Sequence, residues 1–341
     1  MADSICLAID AMGGDFGPRV TVPAAVDFLR RHADVRVILF GDESVIRKQL
    51  SSLKLAAAAK PVLDRIDVHH CEQVVTADDK PSIALRRKRE SSMWVAVNGV
   101  ADGGTHACVS AGNTGALMAM GLSALGLFKG IDRPAICTAV PSLGKRSYLL
   151  DAGANLECSP EQLHQFATMA NCLVQAVEQK DRPTIGLLNV GSEELKGGRE
   201  LQETAKLLEA DRALNYFGFV EGDDIYLGTT DVVVCDGFSG NIAIKAGEGV
   251  AKMIALRLQK AFSRSLGAKI AGVISRGVLR AFQRRIDPAG YNGASFLGLR
   301  GVVVKSHGSA NQKSFACALE VALGEARARL PSLIEKSLQQ R

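Results

Sequence analysis

The sequence predicts an α/β protein with a mostly parallel sheet covered by helices on both faces. Short apolar runs alternate with amphipathic stretches, beginning with Ile5–Ile9 and Val22–Arg31. The 341 residues are 47% hydrophobic and 5% aromatic, and they include 34 glycines. This composition supports a large core and frequent tight strand-to-helix turns. Since no linker or repeat divides the chain, we expect one compact two-lobed unit spanning residues 1–341.

The predicted strands are short segments rich in apolar or β-branched residues: Ile5–Ile9, Val35–Phe40, Ile66–His70, Ala107–Ser110, Ala135–Val140, Tyr148–Leu150, Thr184–Leu188, Val232–Cys235 and Val302–Val304. The clearest amphipathic helices between them are Val22–Arg31, Glu161–Val177, Leu201–Leu208 and Ser309–Arg327. Strands that alternate with helices in this way are typical of βαβ units, which place the strands parallel.

The N-terminal residues and the cysteines indicate the compartment. Asp3 stands where a secretory signal carries cations, and the apolar run Ile5–Ile9 is too short for a signal core or a membrane span. The eight cysteines include no CxxC pair. We interpret them as thiols in a reducing compartment rather than as disulfides or zinc ligands, and expect a cytoplasmic protein.

Residues 249–286 carry an unusual charge. They contain nine Lys and Arg and no acidic residue. Because the whole chain has a net charge of +5, the remaining residues together have a net charge of −4. Apolar residues recur at every fourth position from Ile254 to Phe282, which predicts a projecting hairpin of two basic amphipathic helices. We expect reversible binding to an anionic membrane, not to nucleic acid, although a dimer interface explains part of the apolar stripe. The predicted membrane contacts at the tip are Leu266, Ile270, Val273 and Ile274.

Four small polar turns follow predicted strands. They are Ala111–Gly115, Asn189–Glu193, Asp236–Asn241 and Lys305–Ser309. Since parallel strands end at one edge of a sheet, we expect these turns to lie together. Small residues and the free N–H groups of helix N-termini suit an anion. Each turn taken alone is an ordinary N-cap or loop, but four of them with nearby cations favour an anion site.

Motifs of other enzyme classes are missing. The sequence contains no GxGxxG, no complete P-loop, no HExxH and no Asp-x-x-x-Asp pair. Residues 237–240 resemble the GxSxG elbow of serine hydrolases only in part, because the second glycine comes one position early. These observations indicate a phosphate-binding enzyme, and we expect it to need neither a metal nor a cofactor.

Several segments resemble the bacterial phosphate acyltransferase family of phospholipid synthesis: 10–15, 110–118, 130–135, 187–194, 231–241 and 305–310. The resemblance implies a homodimeric acyl-ACP:phosphate transacylase, with a fold similar to the isocitrate and isopropylmalate dehydrogenases and the phosphotransacetylases. It implies acyl carrier protein (ACP) and inorganic phosphate as partners, and delivery of acyl phosphate to a membrane glycerol-3-phosphate acyltransferase. Phe16-Gly17 and the loop 291–295 depart from the commoner family pattern.

The resemblance also suggests roles for single residues. Lys196 becomes the main catalytic cation, unless it is a solvated lysine at a helix start, and Asn241 is a second catalytic candidate. His307 is a third, for which donation to phosphate and helix capping fit equally. We expect Asp236 to orient Lys196 or Lys305. The full set of substrate-binding candidates is Gly112, Asn113, Thr114, Asn189, Gly191, Ser192, Asp236, Ser239, Gly240, Lys305, Gly308 and Ser309.

Other interpretations stay open at this point. The basic run 86–89 is either a solvated helix face or a docking patch for the acidic ACP. The chain could also be a short-chain phosphotransacylase that uses acyl-CoA, or a non-enzymatic scaffold at a membrane surface. A metal- and NAD-dependent dehydrogenase of the same fold is disfavoured, because the aspartate pair that would hold its metal is missing.

Overall fold

The computed structural model describes residues 4–53, 60–144, 146–193, 196–286 and 288–340. Eleven strands within these ranges form one sheet. They are β1 (Ile5–Asp10), β2 (Val35–Gly41), β3 (Ile66–His70), β4 (Ala107–Ser110), β5 (Ala135–Val140), β6 (Ser147–Leu150), β7 (Thr184–Leu188), β8 (Asn215–Val220), β9 (Val232–Val234), β10 (Ala294–Leu297) and β11 (Val302–Lys305).

The described α-helices are α1 (Pro18–Arg31), α2 (Glu43–Ser52), α3 (Lys60–Leu63), α4 (Pro81–Arg87), α5 (Ser92–Ala101), α6 (Thr114–Leu125), α7 (Pro160–Glu178), α8 (Arg199–Ala210), α9 (Asp224–Leu227), α10 (Gly237–Ser263), α11 (Leu266–Ile274), α12 (Arg276–Ile286), α13 (Gln312–Arg327) and α14 (Leu330–Gln339). A 3₁₀ turn covers Pro288–Tyr291. All nine predicted strands are present within a residue at either end. The short strands β8 and β10 were not predicted.

The sheet consists of two parallel groups that run in opposite directions. Its order is β3-β2-β1-β4-β11-β10-β5-β6-β9-β7-β8. The first five strands are mutually parallel, and so are the last four. Between them, β10 is antiparallel to both neighbours, and β5 is antiparallel to β6. The prediction of a mostly parallel sheet is therefore confirmed, but the direction reverses in the middle.

Helices cover both faces of the sheet. On the first group of strands, α1 and α13 bury Phe28 and Phe315 against one face, while α5 and α6 pack on the other. On the second group, α7 buries Phe166 between the strands and α14, and the first turns of α10 contact β5 and β6. Each group of strands thus has an apolar core on both sides, which fixes the ends of the strands relative to one another.

A carboxyl group lies buried beside β10, where the two groups of strands meet. Glu325 of α13 is 2% exposed, and it accepts a hydrogen bond from the Ser295 hydroxyl. Burial raises the pKa of Glu325 to about 8, because little surrounds it that can stabilise the charged form.

The basic segment forms three helices rather than the predicted two. After Gly240 no residue of α10 is buried, and α11 occupies the stretch that was expected to be a turn. We call residues 249–286 the arm. The side chains of Leu266, Ile270, Val273 and Ile274 are 80%, 62%, 72% and 81% exposed. Among the described residues, no helix is long and apolar enough to cross a bilayer.

Candidate active site

The four polar turns do not share one edge of the sheet. The turns after β4 and β11 lie at one edge, which we call the Lys305 edge. Because the second group of strands is reversed, the turns after β7 and β9 lie at the opposite edge, which we call the Asp236 edge. Four strand positions separate β11 from β9, a lateral distance of about 19 Å at the usual strand spacing. The expected single cluster within one chain was therefore wrong.

This reversal divides the predicted site residues into two sets. The Lys305 edge holds Gly112, Asn113, Thr114, Lys305, His307, Gly308 and Ser309. The Asp236 edge holds Asn189, Gly191, Ser192, Lys196, Asp236, Ser239, Gly240 and Asn241.

Three loops interlock at the Lys305 edge through their backbones. The amide of Asp15 donates to the carbonyl of Gly308 at 2.9 Å, and the amide of Ser306 donates to the carbonyl of Ser110 at 2.8 Å. Gly14 has a φ of +85°, and a Cβ there would contact the Gly308 carbonyl oxygen at 2.9 Å. Glycine satisfies both requirements, so the loops after β1, β4 and β11 approach one another closely.

A buried carboxylate supports these loops from below. The Oδ1 and Oδ2 atoms of Asp10 accept hydrogen bonds from the hydroxyls of Ser92 and Ser110, each at 2.6 Å. The Ser110 oxygen in turn accepts from the Gly112 amide at 3.0 Å. Burial raises the pKa of Asp10, although these serine hydrogen bonds oppose the shift. The chain from Asp10 through Ser110 to Gly112 holds the turn before α6 in place.

Lys305 ends β11 and points its amine into this group of loops. Its Nζ donates to the carbonyl of Ala111 at 3.3 Å and to the carbonyl of Ser306. Burial lowers its pKa to about 8, while the charges of Asp10 and Asp15 oppose that shift. In the described part of the chain, no salt bridge involves Lys305. The edge thus contains a largely desolvated cation held by neutral carbonyl groups, which suits an incoming anion.

His307 and Asn292 continue the Lys305 edge. The Nδ1 atom of His307 accepts the Ser309 amide at 3.2 Å and lies 2.9 Å from the Ser309 hydroxyl. This places the ring proton of a neutral His307 on Nε2. Asn292 accepts from the His307 amide at 2.9 Å and donates to the Ser306 hydroxyl at 2.8 Å. His307 therefore orders its own loop and keeps one exposed N–H group for a ligand.

The side chain of Asn113 is occupied by structural hydrogen bonds. Its Oδ1 caps α6 by accepting from the Ala116 amide at 3.0 Å. Its Nδ2 donates to the carbonyls of Ala77 at 3.0 Å and Asp79 at 2.9 Å. Asn113 thus joins the turn before α6 to the loop before α4. Thr114 begins α6, is exposed and leaves the first N–H groups of that helix facing outward.

At the Asp236 edge, two glycines are required by packing. A Cβ at Gly240 would overlap the carbonyl oxygen of Asp151, and one at Gly237 would lie 2.7 Å from the carbonyl oxygen of Asn155. Asp151 is fully buried, and its carboxylate accepts from backbone amides, including that of Asn155 at 2.7 Å. Gly240 therefore lets α10 approach this loop closely. This packing alone explains why the position is a glycine, and no bound ligand is needed to explain it.

Asp236 and Ser239 form the cap of α10. The Oδ1 atom of Asp236 accepts from the Ser239 amide at 2.7 Å, and its Oδ2 accepts from the Ser239 hydroxyl at 3.2 Å. No contact of Asp236 with a lysine is observed among the described residues, so the expected orienting role toward Lys196 or Lys305 has no support. Asn241 is exposed and lies against Gly153, whose added Cβ would contact the Asn241 side chain at 3.5 Å.

Lys196 lies on the surface. Its amine is 2.8 Å from the carboxylate of Glu193, and its side chain is 51% exposed. The hydrogen bond that the Lys196 amine donates to the Glu193 carboxylate raises the pKa of Lys196. Asn189 donates to the Lys196 carbonyl at 3.0 Å and accepts from the Val190 amide at 2.8 Å, so its side chain orders this loop. Gly191 is buried beneath the Lys196 side chain, whereas Ser192 is exposed.

The sequence reasoning did not select three residues of the Lys305 edge. Asp10 and Asn292 lay in noted segments but were not assigned as site residues. Arg146 is exposed before β6, and its guanidinium lies 6.0 Å from the centre of the Tyr291 ring. The Tyr291-Asn292 pair thus connects Arg146 with His307. In the described ranges, no group of three or more His, Cys, Asp or Glu side chains could hold a metal ion.

Solved structures with a similar fold include transacylases and a dehydrogenase. The chain aligns with EutD phosphotransacetylase from Staphylococcus aureus with 17% identity and a TM-score of 0.59, covering 95% of this chain and 94% of that one. It aligns with a 4-hydroxythreonine-4-phosphate dehydrogenase from Klebsiella pneumoniae with 14% identity and a TM-score of 0.53, covering 95% and 98%. At these identities the likeness shows the fold alone.

Matches at higher identity identify the family. A family model described as "Fatty acid synthesis protein" matches residues 5–332. The chain is 51% identical to a phosphate acyltransferase from Methylococcus capsulatus, covering 96% of this chain and 95% of that one. It is 49% identical to a phosphate acyltransferase from Hydrogenovibrio crunogenus, covering 97% and 96%. With matches over nearly its whole length, the chain belongs to the phosphate acyltransferase family.

Proposed function

We propose that this enzyme transfers a fatty acyl group from acyl-ACP to inorganic phosphate, and that the reaction takes place at the Lys305 edge. Membership of the phosphate acyltransferase family supports acyl transfer to phosphate. The donor and the placement are inferences of our own. One observation carries the placement: the amine of Lys305 is largely desolvated, is held by backbone carbonyls and lies beside the N-terminus of α6.

The reaction needs little from the protein besides binding and charge stabilisation. An oxygen of hydrogen phosphate attacks the thioester carbonyl carbon, and the carbonyl oxygen becomes negative. When the C–S bond breaks, the thiol departs with the proton that hydrogen phosphate brought, which leaves acyl phosphate. Since a thiol has a pKa of roughly 8.5, it leaves without a strong acid, and no acyl-enzyme is required. Holding the two reactants together and stabilising the oxyanion are the main tasks.

The Lys305 edge has groups suited to both tasks. The Lys305 amine neutralises part of the phosphate charge, and the N–H groups of Thr114 and Gly115, which begin α6, have no acceptor within that helix. The exposed Nε2–H of His307 donates to a phosphate oxygen or to the developing oxyanion. Asp10 and Asn292 act indirectly, because they position the loops that carry these donors.

The Asp236 edge has a different role in this proposal. Lys196, Asn189 and Asn241 remain catalytic or binding candidates by resemblance. Within one chain they lie too far from Lys305 to contact the same phosphate. They could complete the site only from a second subunit, so their participation requires the proposed homodimer. Leu156, Val190 and Phe238 are exposed along this edge, and an apolar surface of this kind suits contact with another protein.

We further propose that the arm binds the anionic inner surface of the membrane reversibly, as a projecting hairpin. Each cation near such a surface contributes about 1 kcal/mol, and exposed apolar side chains add shallow insertion. Ile270→Asp or Ile274→Asp should therefore weaken binding to anionic vesicles and leave turnover with acyl-ACP in solution intact. Cosedimentation measures the binding, and Arg212→Glu on the body is the control. Equal vesicle binding by all four proteins would end this proposal.

A cytoplasmic enzyme that touches the membrane in this way would release a lipophilic product where the next enzyme works. The resemblance implies that the next enzyme is a membrane glycerol-3-phosphate acyltransferase. We also propose that the fold is related to that of the isocitrate and isopropylmalate dehydrogenases, and that the chain forms two lobes.

One assay tests the main proposal. The purified protein is incubated with phosphate and either long-chain acyl-ACP or acetyl-CoA, and acyl phosphate is trapped with hydroxylamine. We expect phosphate-dependent acyl hydroxamate from acyl-ACP at a much higher kcat/KM than from acetyl-CoA. Preference for acetyl-CoA would identify a short-chain phosphotransacylase instead. If neither donor yields acyl phosphate, the remaining interpretation is a non-enzymatic scaffold at a membrane surface.

A further inference from the structure

Three exposed arginines near the Lys305 edge have no acidic partner among the residues that the structure describes. Several other surface arginines on the first group of strands and its helices form ion pairs: Arg30–Asp27, Arg31–Glu320, Arg36–Asp67, Arg47–Glu43 and Arg327–Asp34. In the described part of the chain, no ion pair involves Arg86, Arg87 or Arg89. Arg89 instead lies over the ring of Trp94, 5.1 Å from its centre. Their positive charge is therefore available to a partner.

The fourth cation of this run, Lys88, is used inside the protein. The Lys88 amine donates to the carbonyl of Val74 at 2.8 Å and to the carboxylate of Asp79 at 2.5 Å. Lys88 thus pairs with Asp79 and fixes the end of α4. Ala84 is buried and anchors the other side of the helix, whereas Ile83 is 45% exposed beside the arginines. We call Ile83, Arg86, Arg87 and Arg89 the α4 face.

The α4 face is joined rigidly to the Lys305 edge. The helix packs against α6, and Pro81 lies so close to Gly115 that a Cβ there would approach the Pro81 ring at 2.8 Å. Asn113 donates to the carbonyl of Asp79 at 2.9 Å, and two residues before it the Ala111 carbonyl accepts from Lys305. A partner bound on this face would hold its flexible acyl thioester group beside the proposed phosphate site.

We propose that the α4 face docks the acidic carrier protein that brings the acyl thioester. This inference rests on the proposed function, since it names the surface that the acyl donor uses. A single apolar side chain ringed by arginines matches an acidic protein surface with a small apolar contact. The arm differs, because it exposes many apolar side chains as a bilayer contact requires. The basic run is thus a docking patch rather than a merely solvated helix face.

The test compares two donors in two variants. Arg86→Glu/Arg87→Glu should raise KM for acyl-ACP by about tenfold or more, with kcat unchanged, because rim charges act mainly on association. Turnover with acyl-pantetheine, a thioester without the protein carrier, should be unaltered. Arg212→Glu, an exposed charge reversal between α8 and the outermost strand β8, is the matched control and should change neither. Binding of fluorescently labelled ACP measures affinity independently of turnover.

Each outcome has one meaning. A carrier whose surface acids are changed to lysine should regain binding to the double variant and bind wild type poorly. Unchanged ACP affinity in the double variant would overturn the proposal, as would an equal loss of activity with both donors. Loss of vesicle binding with normal ACP kinetics would assign the face to the membrane and overturn it as well. If wild-type enzyme fails to use acyl-ACP but binds the carrier through these arginines, the proposed donor is wrong and the docking surface stands.

Discussion

Lys305 and Lys196 both lie in loops at the ends of strands, yet their surroundings are opposite. The Lys305 amine is mostly buried and is held by the carbonyls of Ala111 and Ser306. The Lys196 amine is exposed and already paired with Glu193. A buried cation held by carbonyl groups gains more from a bound anion than a solvated cation that is already paired with a carboxylate. The comparison favours Lys305 over Lys196 as the cation that binds phosphate.

The two edges also differ in how their polar groups are used. At the Asp236 edge, the side chains of Asp236, Ser239 and Asn189 satisfy one another or the nearby backbone. At the Lys305 edge, the supporting bonds lie beneath the loops, and the Lys305 amine and the His307 ring remain able to bind a ligand. Glycine-rich turns after strands are thus a weak guide to a site. The distribution of unsatisfied charge is a better one.

The largest expected effect on activity comes from replacing Lys305. Lys305→Ala should lower kcat/KM by about 10²–10³, the loss typical of removing one group that stabilises an oxyanion. Lys305→Arg should also be poor, because a planar guanidinium does not replace a compact ammonium. Lys196→Ala should have a smaller effect. Steady-state assays decide between them, and the reverse order would restore Lys196 as the main catalytic cation.

The pH dependence of activity sharpens the same contrast. The pKa of Lys305 is lowered to about 8, so its positive charge is present below that pH and lost above it. We expect kcat/KM to fall above pH 8 by up to about tenfold per pH unit, as one required proton is lost. The pKa of Lys196 is raised, so this lysine predicts no such decline. A profile that stays flat to pH 10 would remove Lys305 from the mechanism.

A glycine at the Asp236 edge separates packing from catalysis. Gly240→Ala should lower the free energy of unfolding by about 1–3 kcal/mol, because the added methyl group overlaps the Asp151 carbonyl oxygen. The remaining folded enzyme should keep most of its turnover. Urea unfolding and active-site titration measure the two quantities, and Gly249→Ala, where nothing lies near the added Cβ, is the control. If the fully folded Gly240→Ala enzyme loses turnover, Gly240 is part of the substrate-binding site after all.

Glu325 should separate a pH effect on stability from the pH effect on activity. Its pKa is about 8 in the folded chain, against an ordinary value of 4.5. Between these values the folded state keeps a proton that the unfolded state has lost. Stability should therefore fall as pH rises through this window, by up to about 1.4 kcal/mol per pH unit. Urea midpoints of wild type should follow this slope, and those of Glu325→Gln should be flatter; equal slopes would refute it.

Local patterns were sufficient to locate most elements of the fold. The runs Ile66–His70, Ala107–Ser110 and Thr184–Leu188 match the observed strands end to end, because β-branched and apolar residues between polar turns are a strong local signal. The strand Ala294–Leu297 was missed, since four residues in a glycine-rich stretch carry little such signal. That strand is antiparallel to both of its neighbours, and β5 is in turn antiparallel to β6, whereas local sequence does not encode strand direction.

The site was predictable only in part for the same reason. The sequence located the turns that contain Lys305 and His307, which follow a strand and precede a helix. It did not show that Asp10 supports Ser110 from 100 positions away, or that burial makes Lys305 differ from Lys196. Both facts depend on contacts between distant segments, and no spacing within one motif reports them.

The buried carboxyl of Glu325 also makes folding a reaction that consumes a proton. At neutral pH the unfolded chain carries this glutamate as an anion, and the native core accepts it only after protonation. Refolding would therefore be favoured in mildly acidic solution and opposed by alkaline solution, with no change in any contact with substrate.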